Sequence, residues 1–403
     1  MKILHIISQF PGKTGSGIYV NSLIDEGKKN NHEQGLVGAI QEGLTYENDS
    51  LSYLDLVEFN TEELPFNIVG MSDIMPYPST RYKDLSDEML STWVKAFEKS
   101  FLKALNIFNP DIIISHHLWI LTSLVCKYKG NKKVVAICHG TDIRQMHLNP
   151  KYTEFVLEGC QKLDYVLTLS TEQKSEINLL YNIPQDKIEV IGAGYNQEFF
   201  YPPKTKPDIK PIKLIYAGKL SNSKGIPYLI KAYSNLRHKY DIELKLAGDG
   251  NGEEKEKILE MANENGAIWL GNLSQKELGN VFRKSHIFVL PSFYEGLGLV
   301  TIEALACGLL VVATNHNGIK EYLGDKINNS GIIEYVDLPP MSSIDDVSED
   351  GKIIFEKSLE KSIEKMIKRI LDGYNQFTAI DYDLKELSWE RLFIKLINIL
   401  QKL

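Results

Sequence analysis

The stretch Ile287–Asn317, IFVLPSFYEGLGLVTIEALACGLLVVATNHN, contains a complete strand–turn–helix–strand unit. Its first apolar run, Ile287–Leu290, is typical of a strand buried on both faces. A glycine-rich turn follows over residues 293–298, helical spacing begins at Leu299, and the apolar run 309–313 predicts the next strand. A right-handed crossover of this kind places its turn at the carboxyl edge of a parallel sheet, where ligands bind.

Two carboxylates occur in this unit: Glu295 in the turn and Glu303 eight positions later. Helical side chains lean toward the helix N-terminus, so Glu303 can face whatever the turn binds. The amides of Gly296 and Gly298, at the positive end of the helix, suit a phosphate. Together these features describe a site for a sugar attached to a nucleoside diphosphate. For either glutamate alone, the alternative is that the carboxylate only interacts with the helix dipole, which stabilises the helix by about 0.3–1 kcal/mol.

The segment EGLGLVTIEA at 295–304 resembles the E-x7-E signature of the family 4 retaining glycosyltransferases, which have the GT-B fold. The resemblance implies that Glu295 contacts the hydroxyls of the donor sugar and that Glu303 contacts the ribose. It also implies that the backbone amides from Gly296 through Leu297 and Gly298 to Leu299 contact sugar and phosphate. Members of the family often have Phe where this chain has Leu297.

The length and the repeated strand–helix alternation predict two doubly wound Rossmann-like domains that face each other across a cleft. We expect an N-terminal, acceptor-binding domain over residues 1–195 and a C-terminal, nucleotide-sugar-binding domain over 196–388. Four prolines between positions 202 and 211 mark the linker. The final helix, 389–403, resembles the terminal helix of the family, which crosses back to the first domain.

The composition limits the class of protein. With 43% hydrophobic and 24% charged residues, it is that of a soluble globular protein. No apolar run is long enough for an integral membrane segment, and MKILHIISQF is interpreted as a first strand. The four cysteines lack metal-ligand spacing, so we expect thiols in a reducing cytoplasm. The net charge of −8, with neither half basic, argues against a nucleic-acid partner and weakly against docking on anionic membranes.

Two stretches near the N-terminus are candidate anion sites. Gly15-Ser16-Gly17 closes the predicted loop 9–17 between the first strand and a helix starting at Ile18; a plain tight turn is the alternative. The resemblance implies that the Gly17 amide closes over the donor's diphosphate. Residues 40–85 are interpreted as irregular, and there Thr80 and Arg81 are candidates for binding a phosphate or carboxylate of the acceptor. A solvated loop is the alternative.

The sequence His-Gly-Thr-Asp follows the predicted strand 134–138, which places polar groups at the sheet edge. His139 can bond a sugar hydroxyl, and Asp142 can cap the following turn or contact the acceptor; a structural histidine is the usual alternative. The segment also resembles the family's HG-x-D segment, whose histidine lies beside the donor sugar and the reacting bond. Arg144 is a candidate for an anionic acceptor or a solvated surface residue. His117 is a candidate for lining the same pocket.

Two lysines bracket the loop after the predicted strand 213–217. Lys219 and Lys224 can converge on one point above the sheet edge. The alternative is that each is an ordinary solvent-exposed lysine. In the resembled family a basic pair at these positions, often Arg followed by Lys, binds the diphosphate. Here the first residue is Lys219, which keeps the charge but lacks the bidentate guanidinium of arginine. The resemblance further implies that Gly248 lets the nucleotide base approach the backbone and that Leu270 gives the base an apolar face.

Two acidic segments have less specific interpretations. Residues 337–352 are expected to form a solvent loop without an assigned role. Asp381-Tyr382-Asp383 is interpreted as a loop whose carboxylates cap the following helix rather than bind metal.

These patterns and the resemblance predict a retaining hexosyltransferase that uses a nucleotide-diphosphate sugar, with a UDP-sugar expected, and a hydroxyl acceptor. The expected catalytic residues are His139, Lys219, Lys224 and Glu295, with neither cofactor nor metal. The HGTDI segment resembles that of the family members that glycosylate small anionic molecules, and the absence of a basic face favours such an acceptor over a lipid-linked or polysaccharide one. A nucleotide-sugar 2-epimerase on the same architecture and a non-catalytic sugar-nucleotide sensor are alternatives.

Overall fold

The computed structural model describes residues 1–12, 14–72, 75–205, 207–293, 295, 297–340, 348–373 and 381–403. These residues form two compact units. Unit 1 comprises Met1–Ala193 together with Trp389–Leu403, and unit 2 comprises Gly194–Ser388. The chain therefore leaves unit 1 near residue 193, two positions before the boundary expected from the sequence, and returns at Trp389.

Unit 1 contains a parallel sheet with strand order β3-β2-β1-β6-β7-β8-β9 in its described part, plus the short parallel pair β4-β5. Its strands are β1 (Lys2–Ile6), β2 (Glu33–Gln41), β3 (Leu51–Phe59), β4 (Val69–Gly70), β5 (Thr80–Arg81), β6 (Ile112–His116), β7 (Lys133–Ile137), β8 (Tyr165–Thr168) and β9 (Ile188–Val190). Its first six helices are α1 (Gly15–Lys29), α2 (Asp87–Ile107), α3 (Ile120–Tyr128), α4 (Thr141–Leu148), α5 (Thr153–Cys160) and α6 (Thr171–Tyr181).

Unit 2 repeats the pattern with the parallel order β12-β11-β10-β13-β14-β15 among its described strands. These are β10 (Ile212–Ala217), β11 (Ile242–Ala247), β12 (Ile268–Gly271), β13 (Ile287–Leu290), β14 (Leu310–Thr314) and β15 (Ile333–Val336). The helices are α7 (Ile226–Leu236), α8 (Gly252–Glu264), α9 (Gln275–Phe282), α10 (Leu299–Ala306), α11 (Asn317–Asn328), α12 (Glu349–Leu371) and α13 (Asp381–Lys385); α14 (Trp389–Leu400) belongs to unit 1 and packs on α1.

The predicted fold class, two Rossmann-like domains with parallel sheets, is confirmed. In each sheet the strand order reverses beside the first strand: β1 lies between β2 and β6, and β10 lies between β11 and β13. Loops leaving such a reversal at the carboxyl ends of the strands form the usual ligand crevice of doubly wound sheets. The two reversals therefore locate the candidate sites.

The interpretation of residues 40–85 as irregular was wrong for β2 and β3. β3 alternates half-buried and exposed residues, because it is an edge strand that pairs only with β2 and is covered on one face by α2. Such a strand lacks the continuous apolar run that identifies a central parallel strand. The prolines that follow it marked the segment as a loop.

Helix boundaries also differ from those expected. α1 begins at Gly15 rather than Ile18, because the Thr14 hydroxyl caps it by accepting from the Gly17 amide. α12 begins at Glu349, so the end of the predicted acidic loop is helical; residues 341–347 of that loop lie outside the described part.

Asp381–Asp383 opens the short helix α13 rather than lying in a loop. The Asp383 carboxylate pairs with the Lys326 ammonium at 2.6 Å instead of capping α14.

Each unit has an apolar core, and that of unit 1 is divided into a large cluster and a smaller one around Ile7, Val20, Ile24 and Leu36. In unit 1, Trp93, Phe97 and Phe101 of α2 pack against the sheet without solvent exposure. All four cysteines are buried free thiols, as predicted. Within the described ranges, no helix combines the length and apolarity needed to cross a membrane.

Candidate active site

Two loops of unit 2 meet at the strand reversal between β10 and β13. The first runs from Gly218 to Gly225 and the second from Pro291 to Gly298. The Phe293 amide donates to the carbonyl of Ser223 at 2.9 Å. Gly225 has φ +68°, and a Cβ there would overlap the carbonyl oxygen of Pro291. A residue without a side chain is therefore required for the two loops to approach this closely.

This approach brings together two residues that the sequence analysis singled out. Lys224 Nζ donates to Glu295 Oε1 at 2.7 Å, and both side chains are partly exposed, at 26% and 19%. A charge-assisted bond of this length orients both groups while leaving each accessible. The edge of unit 2 thus presents a cation and a carboxylate in fixed relation.

Lys219 lies at the start of the first loop and its side chain is exposed. Its backbone carbonyl accepts from the Tyr216 hydroxyl at 2.8 Å, which anchors the loop to the end of β10. Convergence of its ammonium with that of Lys224 on one ligand stays a prediction.

Glu303 lies in the second turn of α10 and is only 9% exposed. No other described residue forms a hydrogen bond or ion pair with its carboxyl group. Burial raises its pKa to about 8. A buried carboxyl group is stabilised by hydrogen bonds, which a ligand at this edge of the sheet could supply.

The turn before α10 has further unsatisfied groups. The hydroxyls of Ser292 and Thr301 are buried and have no hydrogen-bond partner among the residues that the structure describes. Gly298 serves as the N-cap of α10 with φ +63°, Leu297 is buried and Leu299 begins the helix. Gly296 lies outside the described residues, so phosphate binding by its amide stays a prediction.

The edge of the sheet at β11 and β12 is held by close backbone contacts. Gly248 donates to the carbonyl of Gly271 at 2.8 Å and accepts from the Trp269 indole at 2.9 Å. A Cβ at position 248, where φ is +121°, would overlap the carbonyl oxygen of Gly218. Gly248 therefore allows its backbone to lie close to that of Gly218. Leu270 is half-buried in the neighbouring strand. Base binding here stays a prediction.

In unit 1, His139 leaves the end of β7 and is half-buried. Its ring lies 4.7 Å from that of His117 and 5.2 Å, edge to face, from that of Tyr19. The Tyr19 hydroxyl donates to the carbonyl of Gly192 at 3.0 Å, and its ring packs on Trp389 of α14 at 4.8 Å. Burial lowers the pKa of His139 to about 3. The imidazole is consequently neutral at pH 7 and can both donate and accept a hydrogen bond.

Asp142 does not fit the predicted acceptor role. Its carboxylate is fully buried and accepts from the amides of Leu118 at 3.0 Å and His139 at 3.2 Å, and from the thiol of Cys138. Gly140, at φ +87°, lets α4 begin immediately after His139. Asp142 is therefore the residue that fixes the His139 backbone, not an acceptor contact.

His117 is also buried, in the left-handed backbone region at φ +72°. Its Nδ1 lies 3.3 Å from the Thr141 hydroxyl, and its Nε2 has no partner among the described residues. A contact between His117 and the acceptor stays a prediction.

The other predicted acceptor and phosphate contacts have local roles. Thr80 and Arg81 form β5, and the exposed Arg81 guanidinium pairs with Asp84 at 2.6 Å, consistent with the surface alternative. Arg144 is half-exposed on α4.

The Gly17 amide donates to Thr14 Oγ1 at 3.0 Å, so the N-cap occupies the amide expected to bind phosphate. A Cβ at Gly17 would crowd the backbone of Gly12, which accounts for the glycine.

His5 and Gln34 were missed by the sequence analysis. Both are fully buried, and they are linked by a hydrogen bond and through His116 to His139. The signal was present, since a histidine within the apolar strand LHII is a buried polar group that requires partners.

Comparison with known proteins agrees with this arrangement. The family model described as Glycosyltransferase Family 4 matches residues 15–199, and the model described as Glycosyl transferases group 1 matches residues 197–339. The chain belongs to the family 4 glycosyltransferases. Its two matched segments follow one another without a gap, and each covers most of the corresponding unit.

Individual relatives of this glycosyltransferase are distant but match over most of their length. An uncharacterised glycosyltransferase of Methanocaldococcus jannaschii is 24% identical over 360 residues, 81% of this chain and 84% of the relative. The MMP alpha-(1->4)-mannosyltransferase of Mycolicibacterium hassiacum is 23% identical over 357 residues, 82% of this chain and 84% of the relative.

Among solved structures, one described as "Trehalose-6-phosphate from E. coli bound with UDP-2-fluoro glucose" matches with a TM-score of 0.69. It covers 100% of this chain and 99% of its own at 13% identity, and supports the GT-B fold.

Proposed function

We propose that this glycosyltransferase transfers a hexosyl group from a UDP-sugar to a hydroxyl of a small anionic acceptor, with retention of configuration. The observation that carries the proposal is the buried carboxyl group of Glu303, which has no hydrogen-bond partner among the described residues and lies in the same motif as Glu295, the ion-pair partner of Lys224. Two hydroxyl-accepting acids and a cation at one strand reversal suit a ribose, a sugar and a diphosphate.

In this proposal Glu303 accepts hydrogen bonds from the ribose hydroxyls, and Glu295 bonds the donor sugar while orienting Lys224. Lys224 and Lys219 contact the diphosphate, with amides at the N-terminus of α10 contributing positive potential. His139 bonds a hydroxyl of the donor sugar. These lysines and amides supply the cationic charge for the diphosphate without a metal ion.

The proposed reaction is a front-face displacement. The bond between the anomeric carbon and the diphosphate oxygen breaks while the acceptor oxygen bonds to the same face, and the leaving diphosphate oxygen takes the acceptor's proton. Negative charge grows on that oxygen in the transition state, where Lys224 stabilises it more than in the ground state. The protein supplies positioning and electrostatic stabilisation rather than a covalent intermediate.

The donor and acceptor classes have separate grounds. A nucleotide of UDP type occurs in the solved structure described above, whereas one relative is a mannosyltransferase. Net charge is −8 and neither half of the chain is basic, which favours a small diffusible acceptor over a lipid-linked one.

The test is incubation of the protein with UDP-, GDP- and ADP-sugars, first alone and then with phosphorylated or carboxylated small hydroxyl compounds. We expect slow release of nucleoside diphosphate alone, and faster release with a glycosylated product when the right acceptor is present. Nuclear magnetic resonance of the product's anomeric proton reports the configuration. A changed sugar on an intact nucleotide would instead identify an epimerase. Binding without turnover would identify a sensor, and an inverted product would contradict retention.

A further inference from the structure

A row of buried hydrogen bonds crosses the sheet of unit 1 and ends at His139. Gln34 Oε1 lies 3.1 Å from His5 Nε2, and His5 Nδ1 lies 3.3 Å from His116 Nε2. His116 Nδ1 in turn lies 3.2 Å from His139 Nε2. The four residues come from β2, β1, β6 and the end of β7, which are consecutive strands in the sheet. The row therefore passes through the strand reversal of unit 1.

The direction of every bond in this row follows from its first residue. The Gln34 amide nitrogen donates to the carbonyl of His32 at 3.2 Å, so the amide oxygen must face His5. The opposite orientation would place two oxygens together, with no hydrogen between them. His5 consequently donates from Nε2, which leaves its Nδ1 as an acceptor when the ring is neutral.

The same reasoning passes along the row. His5 Nδ1 can only accept, so His116 donates from Nε2; His116 Nδ1 then accepts, so His139 donates from Nε2. Burial lowers the pKa of His5 to about 4 and that of His116 well below its usual value, which keeps both rings neutral near pH 7. The remaining nitrogen, Nδ1 of the half-buried His139, has no hydrogen-bond partner among the described residues.

We propose that Gln34, acting through His5 and His116, is a positioning residue that fixes His139 in the tautomer with its proton on Nε2. His139 therefore offers a bare Nδ1 lone pair, and it recognises a hydrogen-bond donor such as a sugar hydroxyl. The tautomer follows from unit 1 alone, whereas the identity of the hydroxyl as one of the donor sugar rests on the proposed function.

The tautomer is measured by long-range proton–nitrogen correlation spectra of the ¹⁵N-histidine-labelled full-length protein at pH 8. A His139→Gln variant, which lacks the His139 signals, assigns them. We expect a protonated Nε2 and an unprotonated Nδ1 at His139 in the native protein. A proton on Nδ1 would overturn the proposal without any variant at Gln34.

One substitution then tests the role of Gln34. Gln34→Leu removes the acceptor, so the His139 signals should shift toward a mixture of tautomers. Gln161→Leu is the matched control, because it removes a side-chain amide that donates to the Tyr181 carbonyl elsewhere in unit 1. An unchanged His139 pattern in Gln34→Leu would contradict the proposal.

Turnover of the sugar nucleotide gives a second readout. We expect Gln34→Leu to lower kcat/KM about tenfold, which corresponds to the loss of one hydrogen bond. Loss of activity with an unchanged tautomer would refute the role of Gln34 but leave the proposed function intact. A shifted tautomer in a protein that turns over no sugar nucleotide would support the row of hydrogen bonds and refute the function.

Discussion

The ammonium nitrogen of Lys224 lies 2.7 Å from Oε1 of Glu295, although the two residues are 71 positions apart in the chain. Each lies in a loop that leaves the strand reversal of unit 2, and the Phe293–Ser223 backbone bond joins these loops. The pair is accessible rather than deeply buried, so a ligand phosphate can share the lysine with the carboxylate. Because the two side chains contact each other, a substitution at either residue changes the same ion pair.

Removing the cation should affect turnover more than donor binding. We expect Lys224→Ala to lower kcat roughly 10²-fold, because the charge on the leaving diphosphate grows only as the bond breaks. Donor affinity, measured by calorimetry, should weaken by a smaller factor. Lys257→Ala, which breaks the exposed pair with Glu253, is the matched control and should leave both quantities unchanged. Equal losses in kcat and affinity would show that Lys224 contributes only ground-state binding.

Glu303 should make the protein less stable as the pH rises. Its pKa in the folded protein is about 8, above the ordinary value of 4.5, so the folded state holds the proton more tightly than the unfolded chain. The contribution of Glu303 to the free energy of unfolding should therefore fall between pH 4.5 and about 8, by up to roughly 1.4 kcal/mol per pH unit. Denaturant titrations of native protein and Glu303→Gln at several pH values measure the slope.

The Gln variant cannot ionise and should show a flatter dependence over the same range. Glu277→Gln, at an exposed capping-box residue, serves as control. Parallel curves for native protein and Glu303→Gln would contradict the assignment of a buried, unpartnered carboxyl group.

The acid side should show the opposite slope, from the buried histidines of unit 1. Burial lowers the pKa of His5 to about 4. Below pH 6.5, His5 therefore binds a proton in the unfolded chain but stays neutral in the folded protein until the pH approaches 4. The contribution of His5 to the free energy of unfolding should therefore fall as the pH decreases from 6.5 toward 4. His5→Gln should reduce this slope by up to roughly 1.4 kcal/mol per pH unit. His238→Gln, at an exposed histidine, should leave the slope unaltered.

Gly225 should tolerate no side chain, because a Cβ there would overlap Pro291 in addition to the strain from its positive φ. Gly225 and Gly252 both have positive φ, at +68° and +64°, but only a Cβ at 225 meets other atoms, those of Pro291. Gly252→Ala should cost about 1–2 kcal/mol for the left-handed conformation. Gly225→Ala should cost at least about 1 kcal/mol more, because the loop must move.

The displacement of this loop should also lower turnover in Gly225→Ala, since it carries Lys224, whereas Gly252→Ala should keep native turnover. Unfolding curves and initial rates for the two variants provide the comparison. Equal stability and equal rates would mean that the loop contact at Pro291 is unimportant.

Parts of the fold could be predicted because their signals are local. Ile287–Leu290 and Leu310–Thr314 are continuous apolar runs, and burial on both faces of a parallel strand is what such runs require. β3 could not be recognised in this way, because an edge strand needs only one apolar face and its identity depends on pairing with β2. Thr14 is a residue type that commonly caps helices, but the sequence analysis assigned the Gly17 amide to a phosphate. In the structure this amide donates to the Thr14 hydroxyl.

The sequence by itself determined the repeated strand–helix architecture, the family, and the spacing that places Glu295 and Glu303 in one turn and helix. Only the tertiary structure decided the surroundings of each acid: Glu295 pairs with a lysine from another loop, while Glu303 is buried and has no hydrogen-bond partner among the described residues. It also buried Asp142 and joined Gln34 to His139. Strand and helix signals extend over a few residues, whereas burial and pairing depend on which distant segments the sheet places side by side.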